Sequence, residues 1–256
     1  MAYKVIMDAK SNMDHYVIQD VTIWNADGVA EHQDLAIAHH RVQSIQDTKP
    51  DQNHGTTQVI DGKGLTLLPA GIDLHVHLRV PGQPEKETPE TGLKAAMHGG
   101  YGVVMTMPNT YPVIDGLEAL EEGRAQMQAW EEKTGVQVYW TSCITERMDG
   151  QKCVDFDAMA QAGVRAFTDD GKGVDSDDVM REALAYSAAS GMPILQHAEF
   201  SGHGGVIAPC DVQKKLKVGA YPAEPEWTMV ERDLQLLESF PKARYHVLHI
   251  SSEKTV

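Results

Sequence analysis

Six side chains in this sequence could do chemistry together: His75, His77, Asn109, Asp170, His197 and His249. Two of them sit in the run Gly71-Ile72-Asp73-Leu74-His75-Val76-His77-Leu78-Arg79. In an extended strand, side chains at i and i+2 point to the same side. The run therefore predicts His75, His77 and Arg79 on one face, with Leu74, Val76 and Leu78 on the other. Paired imidazoles suit chelation of a transition metal, and an arginine beside them can fork onto a carboxylate. Taken singly, each residue also has an ordinary reading: two histidines at a strand end, His197 and His249 as core histidines, Asp169-Asp170-Gly171 as a turn. Taken together, His75, His77, Asp170, His197 and His249 offer the nitrogen and oxygen ligands of most of a two-metal site, in which one carboxylate is shared between the ions.

Such a site requires strands that end at one mouth. From Tyr16 to about Gly64 the signals are short strands: alternation through Val17, Val21 and Ile23, a turn at Asp27-Gly28, a hairpin from Leu35–Ala38 and Arg41–Ile45, and a strand over Gln58–Asp61. Residues 1 to about 14 read as a short extension. After residue 65 the rhythm becomes strand, helix, strand. A buried strand beginning at Leu65–Leu68 and running to His77 is followed by strands at Gly102–Met107, Val136–Trp140, Val164–Phe167, Pro193–His197 and Tyr245–His249. Helices are expected over Glu90–His98, Gly116–Lys133, Asp155–Ala162, Val179–Ser190 and Trp227–Phe240, with a long loop from Phe200 to about Ala223. In the second helix Leu117, Leu120, Met127 and Trp130 form an apolar stripe read as core packing. About six β/α units define an α/β fold. The candidate residues fall at or just past the C-terminal ends of five different strands, which selects a TIM-type (β/α)8 barrel over an open sheet. No glycine-rich phosphate turn follows the first strand. The expected domains are a small β-domain over residues 1–65 and an incomplete hydrolase barrel over 66–256.

Composition narrows the classes of partner. The net charge of −15, from 22 basic and 37 acidic residues, disfavours a general binder of nucleic acid or membrane surfaces. The three cysteines, Cys143, Cys153 and Cys210, are widely spaced and suggest neither a disulfide framework nor a zinc knuckle. The N-terminus lacks a signal-peptide core, and no apolar run reaches about 18 residues. A cytoplasmic protein is the expectation.

The motifs resemble those of bacterial class I dihydroorotase, a branch of the amidohydrolase superfamily. The likeness runs in order through His75-Val76-His77-Leu78-Arg79-Val80-Pro81-Gly82, Lys86-Glu87-Thr88, Glu90-Thr91-Gly92, Gly99-Gly100 and Met107-Pro108-Asn109-Thr110. It continues through Phe167-Thr168-Asp169-Asp170-Gly171, His197-Ala198-Glu199, Pro222-Ala223-Glu224 with Arg232, and His249-Ile250-Ser251-Ser252. The resemblance implies two zinc ions per subunit: His75 and His77 on one, His197 and His249 on the other, and Asp170, directly before the glycine, bridging both. It implies that His77, Arg79 and Asn109 lie on the substrate side, with Arg79 and Asn109 reading a carboxylate. The implied reaction is reversible hydrolysis of dihydroorotate to N-carbamoyl-L-aspartate, a step of pyrimidine biosynthesis, by water activated between the two metals. A small anionic substrate is the expected partner, with a homodimer or association with aspartate transcarbamoylase as further possibilities.

Related dihydropyrimidinases bridge their metals with a carboxylated lysine. The nearest position here is Arg165, whose guanidinium cannot be modified in that way. Allantoinases usually lack the Met107–Thr110 sequence. The resemblance also implies a further metal-binding, proton-moving aspartate after a seventh strand, with a substrate-binding histidine nearby, and neither has a counterpart in these residues. The expectation is therefore the N-terminal portion of a longer enzyme, inactive by itself. The alternatives are a dihydroorotase-like assembly partner without activity, or another cyclic amidohydrolase.

Overall fold

The computed structural model describes residues 15–24, 27–28, 30–38, 41–45 and 57–256; the extension read over residues 1–14 lies outside them. The chain divides after Gly71 into two units.

The first unit is a mixed sheet. β1 (His15–Trp24) pairs antiparallel with β2 (Ala30–Ala38), and β2 with β3 (Arg41–Ile45). β4 (Gln58–Asp61) and β5 (Thr66–Leu67) pair parallel to the other side of β1. Alternation puts Ile18, Val21 and Leu35 in a small core, joined by Ile23, Ile37, Ile60, Leu65 and Leu67. Between Ile18 and Val21 the register shifts, and Asp20 adopts φ 55° there, its N–H donating to Asp34 Oδ1 at 2.9 Å.

The second unit, Ile72–Val256, alternates strands and helices. Its strands are β6 (Gly71–Val76), β7 (Tyr101–Thr106), β8 (Gln137–Ser142), β9 (Ala166–Phe167), β10 (Pro193–Gln196) and β11 (Arg244–Val247). They form one sheet in sequence order, and β7 through β11 pair in parallel. Between them run α1 (Pro89–Gly99), α2 (Leu117–Thr134), α3 (Phe156–Gln161), α4 (Asp177–Ser190), α5 (Asp211–Leu216) and α6 (Glu224–Leu237). This is six of the eight β/α units of a TIM-type barrel. Helix starts follow capping chemistry: Thr88 and Thr91 form a capping box on α1, Asp155 caps α3, and Ser176 accepts from Val179 N to cap α4. Left-handed Gly100, Gly135 and Gly191 end α1, α2 and α4.

The pleat sorts the strands' side chains into two cores. Val104, Val138, Trp140, Phe167 and Ile194 face the helices, in a large cluster with Leu93, Leu120, Met127, Met159, Met180 and Leu184. Their strand neighbours Met105, Tyr139, Ala166 and Leu195 pack with Met107 and Leu248 on the opposite face. Residues on that second face, continued past the strand ends, reach the mouth.

Several local expectations are corrected. The strand read from Leu65 to His77 is two strands: Thr66–Leu67 joins β1 in the first unit, and a new strand begins at Gly71. Pro69 lacks the N–H that a continuing ladder needs, and Leu68 is 65% exposed rather than buried. Of the α2 stripe, Leu120 and Met127 are buried and Trp130 packs at the core's edge, but Leu117 is exposed at the first turn. The loop read from Phe200 to Ala223 contains α5, and Val206 N and Tyr221 N close its neck on Gly219 O and Ile207 O. α6 starts three residues earlier than read, with Pro225 in its first turn, where a missing N–H costs nothing. Among the described residues, no helix is long and apolar enough to cross a membrane.

Candidate metal centre

All six residues singled out above lie at or just past the C-terminal ends of strands. His75 lies in the last turn of the pleat of β6 and His77 just beyond it; Asn109 follows β7, Asp170 follows β9, His197 directly follows β10, and His249 follows β11. The structure brings them together. His75 Nε2 and His77 Nε2 are 3.2 Å apart, and each is 3.5 Å from Asp170 Oδ2. On the other side, His197 Nδ1 is 3.1 Å from His249 Nε2, and these lie 3.4 and 3.2 Å from Asp170 Oδ1. One carboxylate thus turns a different oxygen to each histidine pair.

The donor set fits a divalent metal. His75, His77 and Asp170 form one group of potential ligands, and Asp170, His197 and His249 a second. Zinc bonds of about 2.0–2.1 Å in tetrahedral geometry require ligand atoms about 3.3–3.4 Å apart, and the observed spacings of 3.1–3.5 Å bracket that edge. Three protein ligands per ion would leave a coordination position open, as catalytic sites require.

Two imidazoles are oriented by their far nitrogens. His77 Nδ1 lies 3.0 Å from Asn109 Oδ1, and His197 Nε2 lies 3.2 Å from Glu199 Oε2. Arg79 Nη1 donates to Asn109 Oδ1 and to its backbone carbonyl, both at 3.2 Å, and Asn109 Nδ2 donates to Asp170 Oδ2 at 3.3 Å. Arg79 reaches this position from outside the strand. β6 ends at Val76, and Arg79 sits at φ 58° in the following turn, so the simple pleat argument for its direction does not apply. Its guanidinium nevertheless lies beside His77 and Asn109.

The charge balance follows from these contacts. Burial alone pushes the Asp170 carboxyl up, but hydrogen bonds with His197, His75 and His249 outweigh it and hold Asp170 well below the usual carboxylate range. Burial lowers His77 below an ordinary histidine, and the hydrogen bond to Asn109 only partly offsets this. Burial also acts to lower His197, but the Asp170 and Glu199 carboxylates prevail and raise it.

Neighbouring residues hold the strand ends in place, and most of them were not singled out from the sequence. Asp169 turns away from Asp170 and accepts from Ile144 N at 2.8 Å, Thr145 N at 3.1 Å and the Thr145 hydroxyl. It is nearly inaccessible, and burial pushes it up to about 6 against those hydrogen bonds. Glu226, on α6, accepts from Ser251 N, Ser252 N and the Ser251 and Thr255 hydroxyls, so it fixes the turn after His249. Beneath His197, Gln196 Nε2 donates to Asp233, which also accepts from Tyr245 and Arg232. Glu199 shares a strand-like i+2 spacing with His197, a signal that could have marked it. Glu226 carries no such signal, because its partners lie 25 to 29 residues away. Arg165, at the position compared with a bridging lysine, stacks 5.0 Å from the Tyr139 ring.

Known proteins share this arrangement of sequence. A family model described as dihydro-orotase-like matches residues 64–255. The dihydroorotase of Bacillus pumilus is 37% identical over 243 residues, covering 94% of this chain and 55% of its own length. The dihydroorotase of Listeria monocytogenes matches to the same extent. Among solved structures, the L-hydantoinase (dihydropyrimidinase) of Arthrobacter aurescens superposes with a TM-score of 0.69 at 21% identity, over 93% of this chain and 53% of that one. That likeness is one of fold. The chain spans about half the length of the curated relatives it matches. With three quarters of its residues under one family model, and the histidines and Asp170 of the mouth all inside that match, the chain belongs to the dihydro-orotase-like family.

Proposed function

We propose that this chain carries the metal-binding half of a dihydroorotase, which hydrolyses dihydroorotate reversibly to N-carbamoyl-L-aspartate in pyrimidine biosynthesis. The observation that carries the reading is Asp170, whose two oxygens face two separate histidine pairs. In this reading His75, His77 and Asp170 hold one zinc ion, and Asp170, His197 and His249 hold a second. Held by these residues, divalent cations would supply Lewis acidity for the ring amide carbonyl and for the attacking water. In the same reading the unit that ends at Gly71 is the small β-domain and Ile72–Val256 is the barrel portion. A cytoplasmic location and a homodimer, or association with aspartate transcarbamoylase, belong to the same reading.

The chain's own residues have distinct tasks. Arg79 presents a planar guanidinium beside the histidines, suited to a bidentate grip on the substrate carboxylate. Asn109 has a second amide N–H beyond the one given to Asp170, and that N–H can reach the same carboxylate. His77 lies against both and lines the substrate side. An anionic ring gripped in this way has its amide turned toward Asp170 and the histidines, which is the orientation that shortens the reactive approach.

The test compares substrates. The zinc-loaded protein, completed with whatever chain the full-length relatives possess, is expected to hydrolyse dihydroorotate in preference to dihydrouracil or allantoin. Arg79→Met is expected to lower kcat/KM for dihydroorotate by about 10²-fold or more, because the substrate carboxylate loses its charged partner. Preference of the wild-type protein for a neutral ring would refute the assignment.

A further inference from the structure

The hydrogen bonds around Asn109 determine more than a substrate contact. An arginine has no acceptor, so the amide atom facing Arg79 Nη1 at 3.2 Å is the oxygen. An ionised carboxylate has no donor, so the amide atom facing Asp170 Oδ2 at 3.3 Å is the nitrogen. These two neighbours fix which way the amide points, with no appeal to His77. Asn109 Oδ1 then meets His77 Nδ1 at 3.0 Å, and an amide oxygen only accepts. The proton of the neutral His77 ring must therefore sit on Nδ1. Its lone pair is left on Nε2, the atom beside His75 Nε2 and Asp170 Oδ2. Gly171, at φ 91°, adjoins this amide, and a Cβ there would stand 3.4 Å from Asn109 Nδ2.

We infer that Asn109 is a positioning residue: it locks His77 in the Nδ1–H tautomer and so prepares Nε2 to hold a metal, in addition to any contact it makes with substrate. This rests on the metal reading above and extends it to a residue that does not itself bind the ion. Arg79 joins the same chain of hydrogen bonds. It donates to the oxygen that accepts from His77, so the group assigned to the substrate carboxylate also orients the amide that orients the ligand.

Two measurements test the inference, and one needs no variant. Nitrogen-15 NMR of the histidine rings distinguishes the tautomers, with His77 assigned by comparison with His77→Gln. The wild-type protein, free of metal and at mildly alkaline pH, is expected to show His77 protonated on Nδ1. A ring protonated on Nε2 overturns the inference. The second measurement is zinc affinity, read by competition with a chromophoric chelator. Asn109→Leu is expected to weaken binding at one of the two sites by about 10–100-fold. Asn109→Asp, which keeps an oxygen toward His77 but sets a second carboxylate against Asp170, is expected to retain the Nδ1–H ring of His77 in the same NMR spectrum. If Asn109→Leu binds zinc as the wild type does and only KM for dihydroorotate rises, Asn109 is a substrate reader and nothing more. A wild-type protein that takes up no zinc, yet shows the Nδ1–H ring at His77, refutes the metal reading and supports the tautomer lock.

Discussion

The two halves of the centre share Asp170 and differ in almost everything else. On the His75 side the far nitrogen of His77 meets a neutral amide, and that amide is tied to a cation, Arg79. On the His197 side the far nitrogen meets a carboxylate, Glu199. His75 and His77 are 25% and 33% exposed in their side chains, whereas His249 is 48% exposed and stands at φ 27°, with the turn beyond it held by Glu226. His197, at 19%, is more enclosed than His75 or His77, so the first half is the more evenly exposed, and it is the more positive. The second is more anionic and depends on one loop clamp. A carboxylate behind a ligating imidazole strengthens the ligand's basicity, so the His197 side is expected to bind its cation more tightly once its loop is in place. The difference puts the positive residue Arg79 on one side of the shared carboxylate and the negative residue Glu199 on the other.

The largest expected effect breaks both halves together. Asp170→Ala removes the only atom pair common to the two groups, and elemental analysis is expected to show metal content falling from two equivalents per chain to less than one. Retention of both ions would mean that the halves are independent. A smaller effect separates them. Glu199→Leu takes the acceptor from His197 and is expected to weaken one site by about tenfold while leaving the other within a few-fold; stepwise zinc titration reads the two affinities. Equal loss at both sites would erase the proposed asymmetry. The smallest effect tests the loop. Glu226→Gln removes the charge that gathers the Ser251, Ser252 and Thr255 donors, and is expected to weaken the same site as Glu199→Leu by about fivefold, the equivalent of roughly 1 kcal/mol. Cobalt substituted for zinc should then show a changed visible spectrum at that site alone.

The barrel was legible because its strands and helices are locally encoded. Apolar runs such as Val103–Met107, caps such as Ser176 and stop glycines such as Gly191 announce each unit without reference to distant chain. The metal-ligand candidates were legible for a related reason: strand ends in a parallel barrel share one mouth, so polar residues at those ends converge. What failed to show in the sequence depended on partners far away. Thr66–Leu67 was read as the start of the barrel strand because nothing local records its pairing with β1. α5, with six residues capped by Cys210, is too short to build a periodic signal. Asn109 was read only as a substrate contact, because its bonds to His77 and Asp170 span 32 and 61 residues and depend on which way an amide is turned. Arg79 was placed beside the histidines by a pleat that ends three residues before it, and a left-handed turn delivers the side chain instead.

The central claim is that Asp170 joins two metal positions. Anomalous diffraction at the zinc edge, from crystals of the zinc-loaded protein, tests it directly. Two peaks are expected on either side of the Asp170 carboxylate, one against His75 and His77 and one against His197 and His249. A single peak, or peaks that leave Asp170 bound to neither ion, would contradict it.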